Sequence, residues 1–303
     1  MGRPKQTKPL RTGTSRREFF KRSGAGGVAL AAATQLLPLA AEATSPVGRT
    51  KTLPVGPTSS LRFAVVSCSN HAYGYFNVYG RVAQRADLDL VMHLGDYLYE
   101  YGAGQYGAAR TPEPAHEIVT LADYRLRHAQ YKRDTDSQAM HRQHPLVAIW
   151  DDHETANNSW KDGAENHQPG AEGDWSARVD AALQAYYEGM PVRKVDAANP
   201  RDNHRGFAYG DLADLLMLEE RLNGRSEQLG TLAHATAFGP GFASTDPGYG
   251  DASRSLLGAA EEDWLSHRLR STPARWKLLG QGVMFAQLKA PGANQATAPL
   301  PVP

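Results

Sequence analysis

The chain of 303 residues carries 33 basic and 32 acidic residues, a formal charge of +1, which excludes the long basic stripe of a broad nucleic-acid surface. Its single cysteine, Cys68, excludes an intrachain disulfide. The length and a 41% hydrophobic content suit one large domain with a sizeable core.

The amino terminus reads as an address. Ser15-Arg16-Arg17-Glu18-Phe19-Phe20-Lys21 looks like a twin-arginine export signal. The apolar run Val28–Ala41 has 14 residues, too short to span a bilayer as a helix, so no stable membrane anchor is expected. Ala41-Glu42-Ala43 offers a small-x-small cleavage site. Residues 1–43 are therefore expected to be a signal peptide read by the twin-arginine machinery, leaving a periplasmic or secreted protein; a disordered basic tail is the plainer alternative. Removal of that segment leaves 25 basic and 30 acidic residues, formally −5. Residues 44–60, rich in Pro, Thr, Ser and Gly, read as a linker.

Three apolar runs follow, each ending in polar residues. They are Phe63-Ala64-Val65-Val66 before Ser67-Cys68-Ser69-Asn70, Leu88–Leu94 before Gly95-Asp96-Tyr97-Leu98-Tyr99-Glu100, and Leu146–Trp150 before Asp151-Asp152-His153-Glu154. Short apolar runs bounded by turn residues suit strands covered on both faces, and ligands of open α/β sheets bind beyond the carboxyl ends of the strands. Acids gathered there repel one another unless a cation or a proton intervenes. Each acid taken singly is also readable as a cap on the element that follows; two such stretches together point to a metal site. Cys68 is either a small buried apolar residue or a thiolate ligand for a transition metal.

Helices are expected at Tyr75–Ala86, as one or two segments within Leu121–Gln143, and around Trp175, Val179, Leu183 and Tyr186 with Asp174 as N-cap. Phe207-Ala208-Tyr209 and Leu215–Leu218 read as strands. Glu261–Leu269 reads as a helix with Trp264, Leu265 and Leu269 inward. Gly239–Gly250 lacks a phosphate-loop ending and reads as a flexible crossing. Residues 289–303 are a low-complexity tail.

The ordered set of Ser67-Cys68, Gly95–Glu100 and Trp150–Glu154 resembles the alkaline phosphatase D (PhoD-like) family, with further echoes at Ala185–Arg193, Tyr209-Gly210-Asp211 and Trp276–Gln281. The resemblance covers roughly residues 61–288 and implies an α/β core like that of the calcineurin-like metallophosphoesterases, an α/β/β/α sandwich. It implies Fe3+ and Ca2+, with Cys68, Asp96 and Tyr99 on the iron, Asp96 bridging, and one of Asp151 or Asp152 adding an oxygen. His153 is the implied catalytic contact to the phosphate or leaving group; a hydrogen-bonded structural histidine is its alternative. Asn157 and Asn158 follow as further contacts or as plain turn residues.

The family pattern continues with a late Gly-Asp-x-His motif that has no counterpart here, so the expectation is a fold with its first half present and its carboxyl-terminal part missing. An unpaired sheet edge after Val283-Met284-Phe285 and reduced folding or turnover are expected with it. Two functions follow. One is a secreted metal-dependent phosphatase acting on a phosphate-ester substrate, monoester or diester. The other is a non-catalytic exported relative that keeps partial metal or phosphate binding.

Overall fold

The computed structural model describes residues 48–229, 248 and 250–283. The expected signal peptide, nearly all of Gly239–Gly250, the end of the Val283-Met284-Phe285 edge and the 289–303 tail lie outside the described residues. The described part is mixed α/β. Strands β1 (Phe63–Val66), β2 (Leu90–His93) and β3 (Leu146–Ala148) form a parallel sheet in that order. His93 stands opposite both Val66 and Ala148, so the three carboxyl ends leave the sheet level with one another. All four residues of β2 are buried, as its uninterrupted apolar run requires of a central parallel strand.

Alternation along these strands sorts the core into two layers. Val91 and Ala148 face a cluster built with Tyr79 from helix α1 (Asn77–Ala83), Tyr124 and Tyr131 from α2 (Leu121–Arg133) and Met140 from α3 (Thr135–Gln143). A short α4 (Pro169–Glu172) precedes α5 (Trp175–Gly189), which adds Val179, Leu183 and Tyr186 to that cluster. Leu90, Met92 and Val147 point the other way, onto Tyr209, Ala213, Leu215 and Met217 of a second sheet. There β4 (Arg205–Tyr209) pairs antiparallel with β5 (Ala213–Met217), and β5 pairs parallel with β6 (Trp276–Gly280) after helix α6 (Ala259–Ser271). Each fully buried Val, Leu or Met contributes about 1.5–3 kcal/mol.

Local signals explain where the helices begin. Thr120 and Asp123 form a reciprocal capping box at the start of α2. The Leu121–Gln143 stretch divides at Asp134, whose extended backbone and carboxylate cap the N–H groups of Asp136 and Ser137, starting α3. Asp174 does sit at the N-cap of α5, but its side chain makes no capping bond. The first helix is shorter than the expected Tyr75–Ala86, covering Asn77–Ala83. Leu269 of α6 is 38% exposed, contrary to expectation, and the side chain that α6 buries is Glu261, whose carboxylate accepts the Glu219 N–H at 2.8 Å. Residues 48–60 form no helix or strand, yet Arg49 N–H, Lys51 and Thr58 N–H bind Arg142 O, Asp89 and Asp211.

The long connection from β2 to α2 is held by two arginines, each 1% exposed. Arg127 donates to the carbonyls of Tyr99, Glu113 and Pro114. Arg178 of α5 binds Glu117 at 2.8 Å and the Ile118 carbonyl at 3.1 Å. Buried carbonyls need such partners, and removing one partner of a buried charged pair costs roughly 3–5 kcal/mol. No helix among the described residues is long and apolar enough to cross a membrane.

The layer between α2, α3 and α5 also holds bases without acids. Lys132 turns its ammonium onto the Tyr97 ring, 3.9 Å from the centroid, and burial lowers its pKa to about 7. Burial, then the Lys132 charge, lowers His128 and His141 to about 3. Unfolded, these histidines bind protons near 6.5, so between about 3 and 6.5 the unfolded chain binds more and stability falls as pH drops. Lys132 acts in the same direction between about 7 and 10.5, so the fold gains stability on the alkaline side. Replacing His128 with Leu should shrink the loss of urea midpoint between about pH 8 and about pH 5. An equal loss in both proteins would show that His128 is not part of the acid response.

Candidate metal centre

The turns leaving the parallel strands are conformationally unusual. Cys68 after β1 has φ 58°, and Asp96 after β2 has φ 56°, both left-handed. Such residues cost about 1–3 kcal/mol each and persist only where the surroundings fix them. Here Cys68 N–H donates to Gly95 O at 3.2 Å and Ser69 N–H to Asp96 O at 2.8 Å. Gly95, at φ 103°, lies where a Cβ would come within 2.5 Å of the Asp151 nitrogen. The β2 and β3 turns are locked together by Glu154, whose carboxylate accepts the N–H groups of Asp96 at 3.1 Å, Tyr97 at 2.6 Å and Asp151 at 2.9 Å.

This frame brings five of the six expected site residues together. Ligand atoms of Asp96, Asp152 and His153 lie within 4.8 Å of one another. The Tyr99 hydroxyl donates to Asp96 Oδ2 at 2.9 Å, and the Cys68 thiol, raised in pKa first by burial, lies close enough to feel the Asp96 charge. Cys68 is exposed, so it is not the small buried apolar residue that composition allowed. Asp151 stands apart: its Oδ1 takes the Arg221 Nε–H at 2.5 Å, while Arg221 Nη2 lies 3.6 Å from Asp152. Asn158 N–H donates to Asp152 Oδ2 at 2.5 Å, and its side chain turns to Glu165. Asn157 N–H goes to Glu100.

The electrostatics of the cluster favour a cation. Burial, then the Asp152 charge, pushes Asp96 up to about 7, and its Oδ1 is buried without a partner among the described residues. Burial also works against charge on Asp152, but Arg221, His153 and the Asn158 N–H outweigh it and bring it down to about 2. An orphaned carboxylate oxygen beside thiol, phenol and carboxylate donors fits a metal ion.

Glu100 governs His153. It is fully buried and accepts His153 Nδ1 at 2.7 Å, Asn157 N–H at 2.6 Å and Asn166 Nδ2 at 2.9 Å. Burial opposes charge on His153, yet the Glu100 hydrogen bond and the Asp152 charge lift it to about 10. In the metal-free protein the imidazole is thus biased toward its protonated form and oriented through Nδ1. Tyr99 packs 4.2 Å from its ring, Tyr101 and Tyr106 at 5.6 and 6.1 Å, and Tyr73 meets Tyr106 at 5.3 Å, making an aromatic rim.

Sequence reasoning quoted Glu100 and Glu154 within motifs without giving them these roles, and it missed the end of β5. Glu219 there accepts Trp150 Nε1 at 2.7 Å and the N–H groups of Arg221, Leu222 and Asn223. Leu215–Leu218 followed by Glu219-Glu220 repeats the apolar-run-then-acid pattern of the other strand ends.

Exchanging Glu100 for Gln should lower the His153 pKa below about 10, because burial remains while the carboxylate's charge is lost. Imidazole titration followed by NMR in the metal-free protein reads this directly; an unmoved His153 would remove Glu100 from the site.

A family model for the PhoD-like phosphatases matches residues 63–301. Alkaline phosphatase D of Bacillus subtilis (strain 168) is 36% identical over 312 residues, covering 94% of this chain and 51% of that protein. A solved structure described as "Structure of PhoD" superposes with a TM-score of 0.68 at 38% identity, covering 80% of this chain and 46% of the other. The chain thus spans about half the length of the relatives it matches. By the extent of the family match and by that identity, the chain belongs to the PhoD-like phosphatase family.

Proposed function

We propose that the chain is an exported, metal-dependent phosphatase acting on phosphate monoesters or diesters. The observation that carries the reading is the Asp96–Asp152–His153 cluster, with the buried, unpartnered Asp96 Oδ1. Family membership and the B. subtilis alkaline phosphatase D relative support the reaction class. Cys68, Asp96 and Tyr99 would hold Fe3+, and Asp96 with Asp152 would serve Ca2+, a division suited to sulfur and phenolate donors on one side and oxygen donors on the other. When bound, the ions supply Lewis acidity and a water of lowered pKa. Layers of helix, sheet and sheet support a calcineurin-like α/β/β/α sandwich, with the catalytic domain at 61–288, a linker at 44–60 and a tail at 289–303.

The chain's own residues supply the rest of the chemistry. His153, held as a cation by Glu100, contacts the phosphate and carries the proton that the departing oxygen needs. Glu154 and Gly95 keep the Asp96 and Asp152 turns in register, so positioning is in place before substrate arrives. The tyrosine rim offers an apolar wall to the leaving group and keeps water from the His153 ring.

Iron-loaded protein should show a visible tyrosinate charge-transfer band that Tyr99→Phe removes. Asp96→Asn should lower hydrolysis of a chromogenic phosphate ester by more than the roughly 10- to 100-fold typical of losing a partner of a metal ligand. A colourless protein from iron-replete cells would overturn the iron assignment, and metal uptake without turnover would favour the non-catalytic reading.

Export is part of the same proposal and rests on Arg16-Arg17 with the Ala41-Glu42-Ala43 site. Changing Arg16 and Arg17 together to Lys should leave the full-length precursor inside the cell. Undiminished protein in the periplasm or medium would sink the twin-arginine route.

A further inference from the structure

A pair of cationic groups stands on the segment that leaves β5, beside the acid cluster. Arg221 spends its Nε–H on Asp151 and turns Nη2 toward Asp152, but its Nη1 is buried with no partner among the described residues. Arg225 is odder. It is 5% exposed, yet it forms no ion pair with any carboxylate among the described residues.

What Arg225 does touch is uncharged. Its Nε donates to Gln228 Oε1 at 3.1 Å, and its Nη1 lies 3.5 Å from the Glu220 carbonyl. Gln228 donates in turn to the carbonyl of Asn158 at 2.6 Å, and Lys161 N–H donates to the Arg225 carbonyl at 3.2 Å. The guanidinium is therefore aimed and fixed from the same turn that places Asp152. Burial, then the charge of Arg221, brings its pKa down to about 10, with Asp151 and Asp152 pulling the other way. Two buried guanidinium groups four residues apart, Arg225 without an acid among the described residues, are costly unless an anion joins them. Planar forks of this kind match the oxygens of phosphate in two-pronged fashion.

We propose that Arg225 and the free Nη1 of Arg221 form an oxyanion subsite beside the Asp96–Asp152–His153 cluster, and that it receives phosphate oxygens of the substrate. The identity of the anion rests on the phosphatase reading; the subsite itself rests on the two guanidinium groups. Arg225 is then a binding residue, and its loss weakens ground-state and transition-state binding alike, raising KM more than it lowers kcat.

The test uses the full chain, inorganic phosphate as probe, and both chelator-treated and iron- and calcium-loaded protein. Phosphate should raise the wild-type Tm by mass action. Arg225→Gln should weaken the phosphate Kd by about 10- to 100-fold and abolish that rise, the scale of one charge-assisted hydrogen bond. Its Tm without phosphate should match or exceed that of the wild type, since an unpaired buried cation has gone. Arg225→Lys, which keeps charge but loses the fork, should show intermediate affinity, and it stands in if the Gln variant does not fold. Unchanged phosphate affinity in the variants, no phosphate binding by the wild type, or a lowered Tm with the phosphate response intact would each overturn the subsite. Failure of metal uptake and hydrolysis with an Arg225-dependent phosphate response retained would drop the phosphatase reading and leave the subsite standing.

Discussion

The carboxylate of Glu154 is the joint on which the site depends. Parallel pairing delivers the ends of β1, β2 and β3 at one level, but pairing alone does not say how the chain turns after each. Glu154 does, by accepting three backbone N–H groups from the β2 and β3 turns. Hydrogen bonds to an ionised acceptor are among the stronger ones in proteins, which is what the left-handed residue Asp96 needs to stay in place. Burial and the Asp96 charge push Glu154 well up, while two of those N–H groups pull it down. The joint is therefore strongest when a cation relieves Asp96.

Charge balance explains the remaining neighbours. Asp96, Asp151 and Asp152 would repel one another in a pocket of low polarity. Arg221 neutralises Asp151 and leans on Asp152, and His153, fixed by Glu100, adds a second positive group. Asp96 is left with one buried oxygen that no described residue satisfies. The division of labour between adjacent acids follows from geometry: Asp151 braces the sheet ends, and Asp152 faces the cluster.

That division was not legible in the sequence, where Asp151 and Asp152 are chemically equivalent. Much else was. Fully buried parallel strands are short unbroken apolar runs, so β1, β2 and β3 could be placed, and the polar residues behind them marked the stretches that hold Cys68, Asp96, Asp151 and Asp152, while Tyr99 as a ligand and His153 as a contact came from the family resemblance. The helix caps at Thr120 and Asp134 are local signals as well, although neither was singled out. The roles of Arg127, Arg178, Arg221 and Glu261 were hidden, because they act on main-chain groups or acids most of which are distant in sequence, as in the 61 positions from Arg178 to Glu117 and the 70 from Arg221 to Asp151. Leu269, expected inward, is exposed, while α6 buries Glu261 against a backbone donor.

The long connection after β2 is gripped by its main chain. Arg127 holds carbonyls of residues 99, 113, 114 and 116, Arg178 holds that of Ile118, and Ala109 N–H ties the loop back to Ala72. None of these grips reads the side chains at positions 101 and 106. Their rings are therefore free to be exchanged by mutation while the loop keeps its path. Relatives built on the same frame can diverge in the shape of the rim around His153 without re-evolving the loop that carries it.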